Sequence, residues 1–176
     1  VKVTQPVRIE TERLVMDGHT AEDFSAVCAL WADPRVVQHI GGTPSTREES
    51  WARLLRYRGG WPLRGFGFWA VREKATGRFA GDLGFKDSCR PIEPSIFGLP
   101  EAGWALAPWA QGKGYASEAL SAALGWLDGQ SFRLSVCLIA PENAASLRLA
   151  HRHGYGQATA VQFESEETLL LQRLRP

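Results

Sequence analysis

Apolar residues along this chain alternate in some stretches and recur every three or four positions in others, and these changes of period predict a mixed α and β protein. Arg8 to Met16 carries Ile9, Leu14 and Met16 and ends at Asp17-Gly18, the pattern of a first strand closed by a turn. Thr20 then caps a helix with Glu22 and Asp23 in its first turn; Phe24, Val27, Cys28 and Trp31 follow at helical spacing, and Pro34 stops the run. A second helix begins at Ser45 or Thr46, carries Trp51, Leu54, Leu55 and Arg58, and ends at Gly59-Gly60. Phe66 to Arg72 and Arg78 to Phe85 are aromatic and β-branched runs joined by Glu73-Lys74-Ala75-Thr76-Gly77, which predicts a hairpin with a longer loop.

Arg90 to Pro100 contains three Pro and one Gly and reads as a loop, and Glu101 to Ala107 after it as a short buried strand. Ala116, Leu120, Ala123, Leu124 and Leu127 form the stripe of a third helix that closes at Asp128-Gly129, and Phe132 to Ile139 has the apolar density of a central strand. Asn143 to His153 predicts a fourth helix with Gly154 as its C-cap, followed by strands around Tyr155 to Phe163 and Thr168 to Leu174. The 176 residues, without repeat or long linker, fit one domain spanning 1–176.

Charge narrows the function. Twenty Lys and Arg against nineteen Asp and Glu leave a net +1, too little for a chain whose affinity rests on neutralising many phosphates, so a nucleic-acid partner is not expected. No apolar stretch reaches the length of a membrane span, and Val1 to Pro6 lacks the basic flank and apolar run of a leader, which points to a cytoplasmic protein with no membrane partner. Cys28, Cys89 and Cys137 stand far apart in no ligand spacing, and His151 and His153, two positions apart on a helix, face different ways, so no metal is expected.

The sharpest local signal is Gln111-Gly112-Lys113-Gly114-Tyr115-Ala116, set between a strand and an amphipathic helix. Glycines there let backbone approach a ligand closely, and the first amides of the helix, lacking intrahelical partners, can donate to phosphate oxygens. A plain strand-to-helix turn would use the same letters. A P-loop needs Gly where Ala107 stands and Ser or Thr where Gly114 stands, and a GxGxxG dinucleotide loop fails at Ser117.

Three stretches together resemble the GNAT superfamily of N-acetyltransferases, and within it the RimJ/RimL-like branch that acetylates ribosomal-protein N-termini. They are Thr11-Glu12-Arg13-Leu14 with Glu22-Asp23, the Gln111 to Ala116 loop, and Pro141-Glu142-Asn143-Ala144-Ala145-Ser146 running to Gly154-Tyr155. The resemblance implies an α+β, α/β/α-layered fold whose mostly antiparallel seven-stranded sheet splays between its fourth and fifth strands, with about four flanking helices. It implies acetyl-CoA as cosubstrate, the backbone of Trp104, Ala105 and Leu106 on the pantetheine arm, and the Leu106 N–H on the thioester carbonyl. The amides of Gln111, Gly112, Lys113, Gly114, Tyr115 and Ala116 would hold the pyrophosphate, and Asn143 would reach the pantetheine arm, although an N-cap explains an Asn there equally well.

The reaction needs a neutral amine, a polarised carbonyl and a proton for the departing thiolate. Many members carry a tyrosine as the acid where this chain has Ala150, between Leu149 and His151. The resemblance leaves Ser146 as the donor to sulfur and Glu101 as the base acting through water. Arg47, Arg53, Arg56, Arg58 and Arg64 against Glu48 and Glu49 favour a neutral or anionic acceptor: a small amine, an amino-acid-like molecule or a peptide N-terminus. A solvated helix face would carry the same charges. Trp51, Trp61, Phe66, Phe68 and Trp69 are either pocket lining or core. Two other classes stay open: a non-catalytic CoA or acyl-CoA binding module, for which the absent tyrosine speaks, and a dimeric interaction protein. A homodimer is implied by the family alone.

Overall fold

The computed structural model describes residues 4–163 and 166–176; residues 1–3, part of the stretch read for a leader, lie outside the described residues. Among the described residues eight strands form one sheet in the order β1-β2-β3-β4-β5-β6-β8-β7. They are β1 (Ile9–Glu10), β2 (Leu14–Gly18), β3 (Phe68–Glu73), β4 (Phe79–Lys86), β5 (Glu101–Leu106), β6 (Leu134–Ile139), β7 (Gly156–Phe163) and β8 (Glu166–Leu174). The helices are α1 (Phe24–Trp31), α2 (Pro34–Val37), α3 (Arg47–Arg64), α4 (Tyr115–Asp128) and α5 (Ala144–Arg152).

The seventh strand expected from the sequence becomes an eighth because Arg8 to Met16 is a hairpin, with Ile9 opposite Met16, rather than one strand. Its turn contains neither Gly nor Pro and is organised from outside. Glu118 on α4 accepts from the Thr11 hydroxyl and from the Arg13 amide at 2.8 Å, while the Thr11 amide donates back to the Leu14 carbonyl. Pro34 ends α1 but also opens α2, where a missing N–H costs nothing and Asp33 caps the turn by accepting from the Arg35 amide at 2.9 Å.

Gly59-Gly60 does not end the second helix. Thr46 and Glu49 start α3 with a reciprocal capping box, and the helix runs on to Gly65, whose φ of 82° closes it. Two helical glycines cost about 1 kcal/mol each. Continuing the helix buries Trp61 fully, and a Cβ at Gly60 would come within 2.8 Å of the Phe66 carbonyl oxygen, so this close approach needs glycine. Trp61, Phe66, Phe68 and Trp69 are core residues, with Trp61 edge-on to Trp69 and to Trp126; of the five candidate pocket aromatics only Trp51 is exposed.

Side-chain alternation sorts the core into two faces. Leu120, Ala123, Leu124 and Leu127 of α4 pack with Leu83, Phe85, Ala102 and Leu106. Val27, Leu30 and Trp31 of α1 and Leu54 of α3 pack with Ala105 on the opposite side. The Pro-rich loop buries Ile92 and Ile96 against Val136 and Leu170. Every neighbouring pair of strands is antiparallel except β5 and β6, which run parallel and share one ladder pair, Glu101 with Val136. Beyond that pair the two strands part, so β5 past its first residues presents an edge unpaired by β6 in the middle of the sheet. No helix among the described residues is long and apolar enough to cross a membrane.

Candidate active site

The ladder between β4 and β5 decides which backbone groups line the gap. Ala105 pairs with Asp82, and the Ala107 amide donates to the Ala80 carbonyl at 2.8 Å, so the odd positions of β5 spend their hydrogen bonds on β4. The even positions face the other way. Trp104 and Leu106 therefore turn their amides toward the separated β6, and the Leu106 carbonyl, on the same edge, accepts from Gln111 Nε2 at 2.9 Å. Ala105 is not brought to the gap: its backbone serves β4 and its side chain is buried with α1.

The loop at the end of β5 is built for amide donation. Gly112 has φ 74° and Gly114 φ 79°, a conformation that would strain any other residue, and around the position of a Gly112 Cβ nothing lies within 4 Å. The amides from Gly112 to Ser117 have no acceptor among the described residues, and they lie at the positive end of α4. Arg13 holds the loop in place. Its Nε donates to Glu118 at 2.7 Å and its NH1 to the Lys113 carbonyl at 2.9 Å. The Thr11-Glu12-Arg13-Leu14 motif is thus the brace of the loop, a role its letters did not disclose. Lys113 Nζ and the Arg78 guanidinium both lie over Trp109, 4.9 and 4.1 Å from the ring centroid, and put two cations beside the amides. The Tyr115 side chain points elsewhere: it is buried and its hydroxyl donates to Glu73 at 2.6 Å, leaving only its amide to the loop.

Across the gap, Asn143 caps α5, accepting from the Ser146 amide at 3.1 Å; this uses its oxygen and leaves the NH2 group to donate outward. The Trp104 indole Nε1–H donates to Ser146 Oγ at 3.1 Å. An indole nitrogen can only donate, so the hydroxyl accepts there and its own proton is free for another partner. This link between β5 and α5 was not legible in the sequence, where Trp104 counted only for its backbone. Ala150 is fully buried, His151 Nδ1 bonds the Tyr155 carbonyl at 3.0 Å, and His153 Nε2 meets Ser117 Oγ at 2.9 Å, so the two histidines turn to different partners.

Glu101 sits where β5 and β6 begin to part and is 3 % exposed. Arg90 grips its carboxylate with two bonds of 3.1 Å, and Lys86 Nζ lies 3.4 Å away. Burial alone would raise the carboxyl's pKa, but the Lys86 ammonium and the Arg90 guanidinium together outweigh it and hold the group below the usual carboxylate range. Lys86 shares a face of β4 with Asp82. Arg90 comes from the aperiodic Pro-rich loop, and no spacing could have paired it with Glu101.

Comparison with known proteins agrees with this geometry. Residues 13–156 match the acetyltransferase (GNAT) domain family. A GNAT-family acetyltransferase structure from Bordetella pertussis is 33 % identical and superposes with a TM-score of 0.84, covering 95 % of this chain and 99 % of its own. An N-acetyltransferase named p20 from Bacillus licheniformis, uncharacterised, is 26 % identical over 141 residues, 79 % of this chain and 76 % of its own. RimL, a ribosomal L7/L12 α-N-protein acetyltransferase solved with coenzyme A, shares the fold at a TM-score of 0.74 and 19 % identity, covering 96 % of this chain and 98 % of its own. A loop of unpaired amides, a parted strand pair beside it and a family match spanning both lead to one conclusion: the chain belongs to the GNAT family of acetyltransferases.

Proposed function

We propose that the whole chain works as one domain that moves an acetyl group from acetyl-CoA to a primary amine, the amine attacking the thioester directly in a ternary complex. The observation that carries this reading is the β5 edge at Trp104 and Leu106 left unpaired by β6, next to the amide-rich turn from Gly112 to Ala116; of the expected loop amides, that of Gln111 is spent on the Pro108 carbonyl. The edge suits the amide-bearing pantetheine arm, with the Leu106 N–H on the thioester oxygen. The turn suits a diphosphate, to which Lys113 and Arg78 add charge. Asn143 donates to the same arm from the opposite wall.

Ser146, held through Trp104, donates a hydrogen bond to the departing sulfur. Its hydroxyl stabilises the thiolate by a hydrogen bond rather than by full proton transfer, as befits a group far less acidic than a thiol. Glu101 is the proposed base, accepting the amine's proton through water. Its depressed pKa keeps it ionised at neutral pH but also makes it a weak base, so its contribution falls at the modest end of general base catalysis. The acceptor is a small amine, an amino-acid-like molecule or a protein N-terminus. RimL's acetylation of a protein N-terminus, on the same fold, supports that range.

The test is release of free CoA thiol when the protein is mixed with acetyl-CoA and a panel of amines and peptides. Turnover on any acceptor supports the transferase. Tight CoA binding without turnover on any of them would instead favour a non-catalytic acyl-CoA binding module, the reading to which the buried Ala150 lends weight.

A further inference from the structure

The acceptor side of the gap, on the face covered by α1 and α3, carries more positive charge than its own residues neutralise. Glu101 is the carboxylate shared by Lys86 and Arg90. A third cation, Arg53, projects from α3 with its guanidinium carbon 3.6 Å from the centroid of the Trp31 ring; its NH2 donates to the Ser45 hydroxyl at 3.4 Å, and the buried Tyr57 hydroxyl lies beside the same guanidinium. Its Nε is buried and has no hydrogen-bond partner among the described residues. A donor left unsatisfied on a charged, stacked side chain is costly, and a carboxylate fits the planar fork that Arg presents. Trp31, on which Arg53 stacks, donates to Asp82 at 2.8 Å, and Asp82 shares its face of β4 with Lys86; burial, Arg90 and Arg53 work against the Lys86 ammonium while Glu101 favours it. The other acids near this face are engaged elsewhere: Glu49, one turn before Arg53 on α3, accepts from the Thr46 amide at 2.7 Å in the capping box, Asp87 pairs with Arg64 at 2.7 Å, and Asp82 lies wholly buried between His19 and Trp31.

We infer that Arg53 and Lys86 form a carboxylate subsite for the acceptor, so that the preferred substrates are amino acids, whose carboxylate sits a few bonds from the amine to be acetylated. The inference rests on the transferase reading above and names its substrate class. Arg53 supplies the fork, and Trp31 fixes the plane of that fork. Lys86 supplies a second charge from β4, and Glu101 keeps Lys86 and Arg90 from repelling each other out of place. The same cations disfavour an ammonium nearby, which helps the acceptor amine lose its proton before it attacks.

The probes are free amino acids, each paired with its carboxamide, and the corresponding N-acetyl products offered to the CoA-loaded enzyme. One charge-assisted contact predicts kcat/KM about 10- to 100-fold higher for the acid than for its amide, and thermal stabilisation by the N-acetyl acid but not by the N-acetyl amide. Arg53→Met, which keeps the stem over Trp31, should shrink the ratio to about threefold or less while CoA still stabilises the protein, and Arg53→Lys should recover part of it. Lys86→Met, read the same way, serves if the first variant folds poorly. Equal treatment of acids and amides by the wild type in both readouts overturns the subsite, as does a ratio untouched in both methionine variants. Discrimination in product binding with no turnover on any amine would keep the subsite and sink the transferase reading. Turnover without discrimination does the reverse.

Discussion

Replacing Glu101 with Gln separates its electrostatic duty from its proposed chemical one. The carboxylate is 3 % exposed and bridges Arg90 and Lys86, so the variant leaves two cations facing each other without the charge between them. Removing one partner of a buried ion pair costs about 3–5 kcal/mol; Gln keeps the shape and one acceptor oxygen, which brings the expected loss to about 2–3 kcal/mol. For a chain of this size each kcal/mol moves Tm by about 2–4 °C, so melting at pH 7 should fall by about 4–12 °C. The folded carboxyl lies below its ordinary value of 4.5, so its stabilisation is complete above that pH and is lost as pH falls through the depressed folded value. Gln has no such dependence. Melts taken from pH 7 down to about pH 3 should therefore show the gap between wild type and variant closing only below about pH 4.5. In parallel, kcat measured well below both melting temperatures should drop about tenfold or more. An equal Tm at pH 7, or a gap that persists unchanged in acid, refutes the ion-bridge reasoning. An unchanged kcat removes Glu101 from the mechanism even if the bridge stands.

Other consequences are as open to measurement. Gly112→Val places a side chain where the protein leaves space but the backbone has φ 74°, so about 1–2 kcal/mol of stability should be lost. The larger effect should be on CoA: the gain of about 2.7 kcal/mol expected at a hundredfold excess over Kd should vanish in a thermal-shift titration, and its survival would exclude the loop as the diphosphate site. Trp104→Phe removes the donor to Ser146 while keeping an aromatic in place, so kcat should fall toward that of Ser146→Ala, and the double variant should be no slower than the slower single one. Additive losses would show that the two act independently. Asn143→Ala should cost about 1 kcal/mol in chemical denaturation through the lost helix cap and weaken CoA binding as well; a stability loss with unaltered CoA affinity would reduce Asn143 to the cap alone.

What the sequence by itself determined was mostly local. Elements whose apolar period, cap and stop signal agree, such as the helix capped by Asn143 and closed by Gly154, or the hairpin around Thr76-Gly77, are recovered to within a residue or two. The amide loop was legible for a related reason: glycine permits the left-handed turn that the chain makes there, and the apolar stripe that follows marks where a helix, with its unpartnered first amides, begins. The misreadings mark places where a distant contact overrode a local preference: Glu118 bends Arg8 to Met16 into a hairpin, and the burial of Trp61 carries α3 through Gly59-Gly60.

Tertiary structure alone decided how the site is wired. Strand register sends Trp104 and Leu106 to the gap and Ala105 away from it, and a one-residue slip would exchange them. Packing sets the Trp104 indole against Ser146, the Arg90 fork on Glu101 and Arg53 over Trp31, from partners 42, 11 and 22 residues apart. The physical reason is one of range. Hydrophobic period and capping act over a few residues and leave their mark on the letters nearby, whereas the pairing of charges and donors across a site depends on which distant surfaces the core brings together.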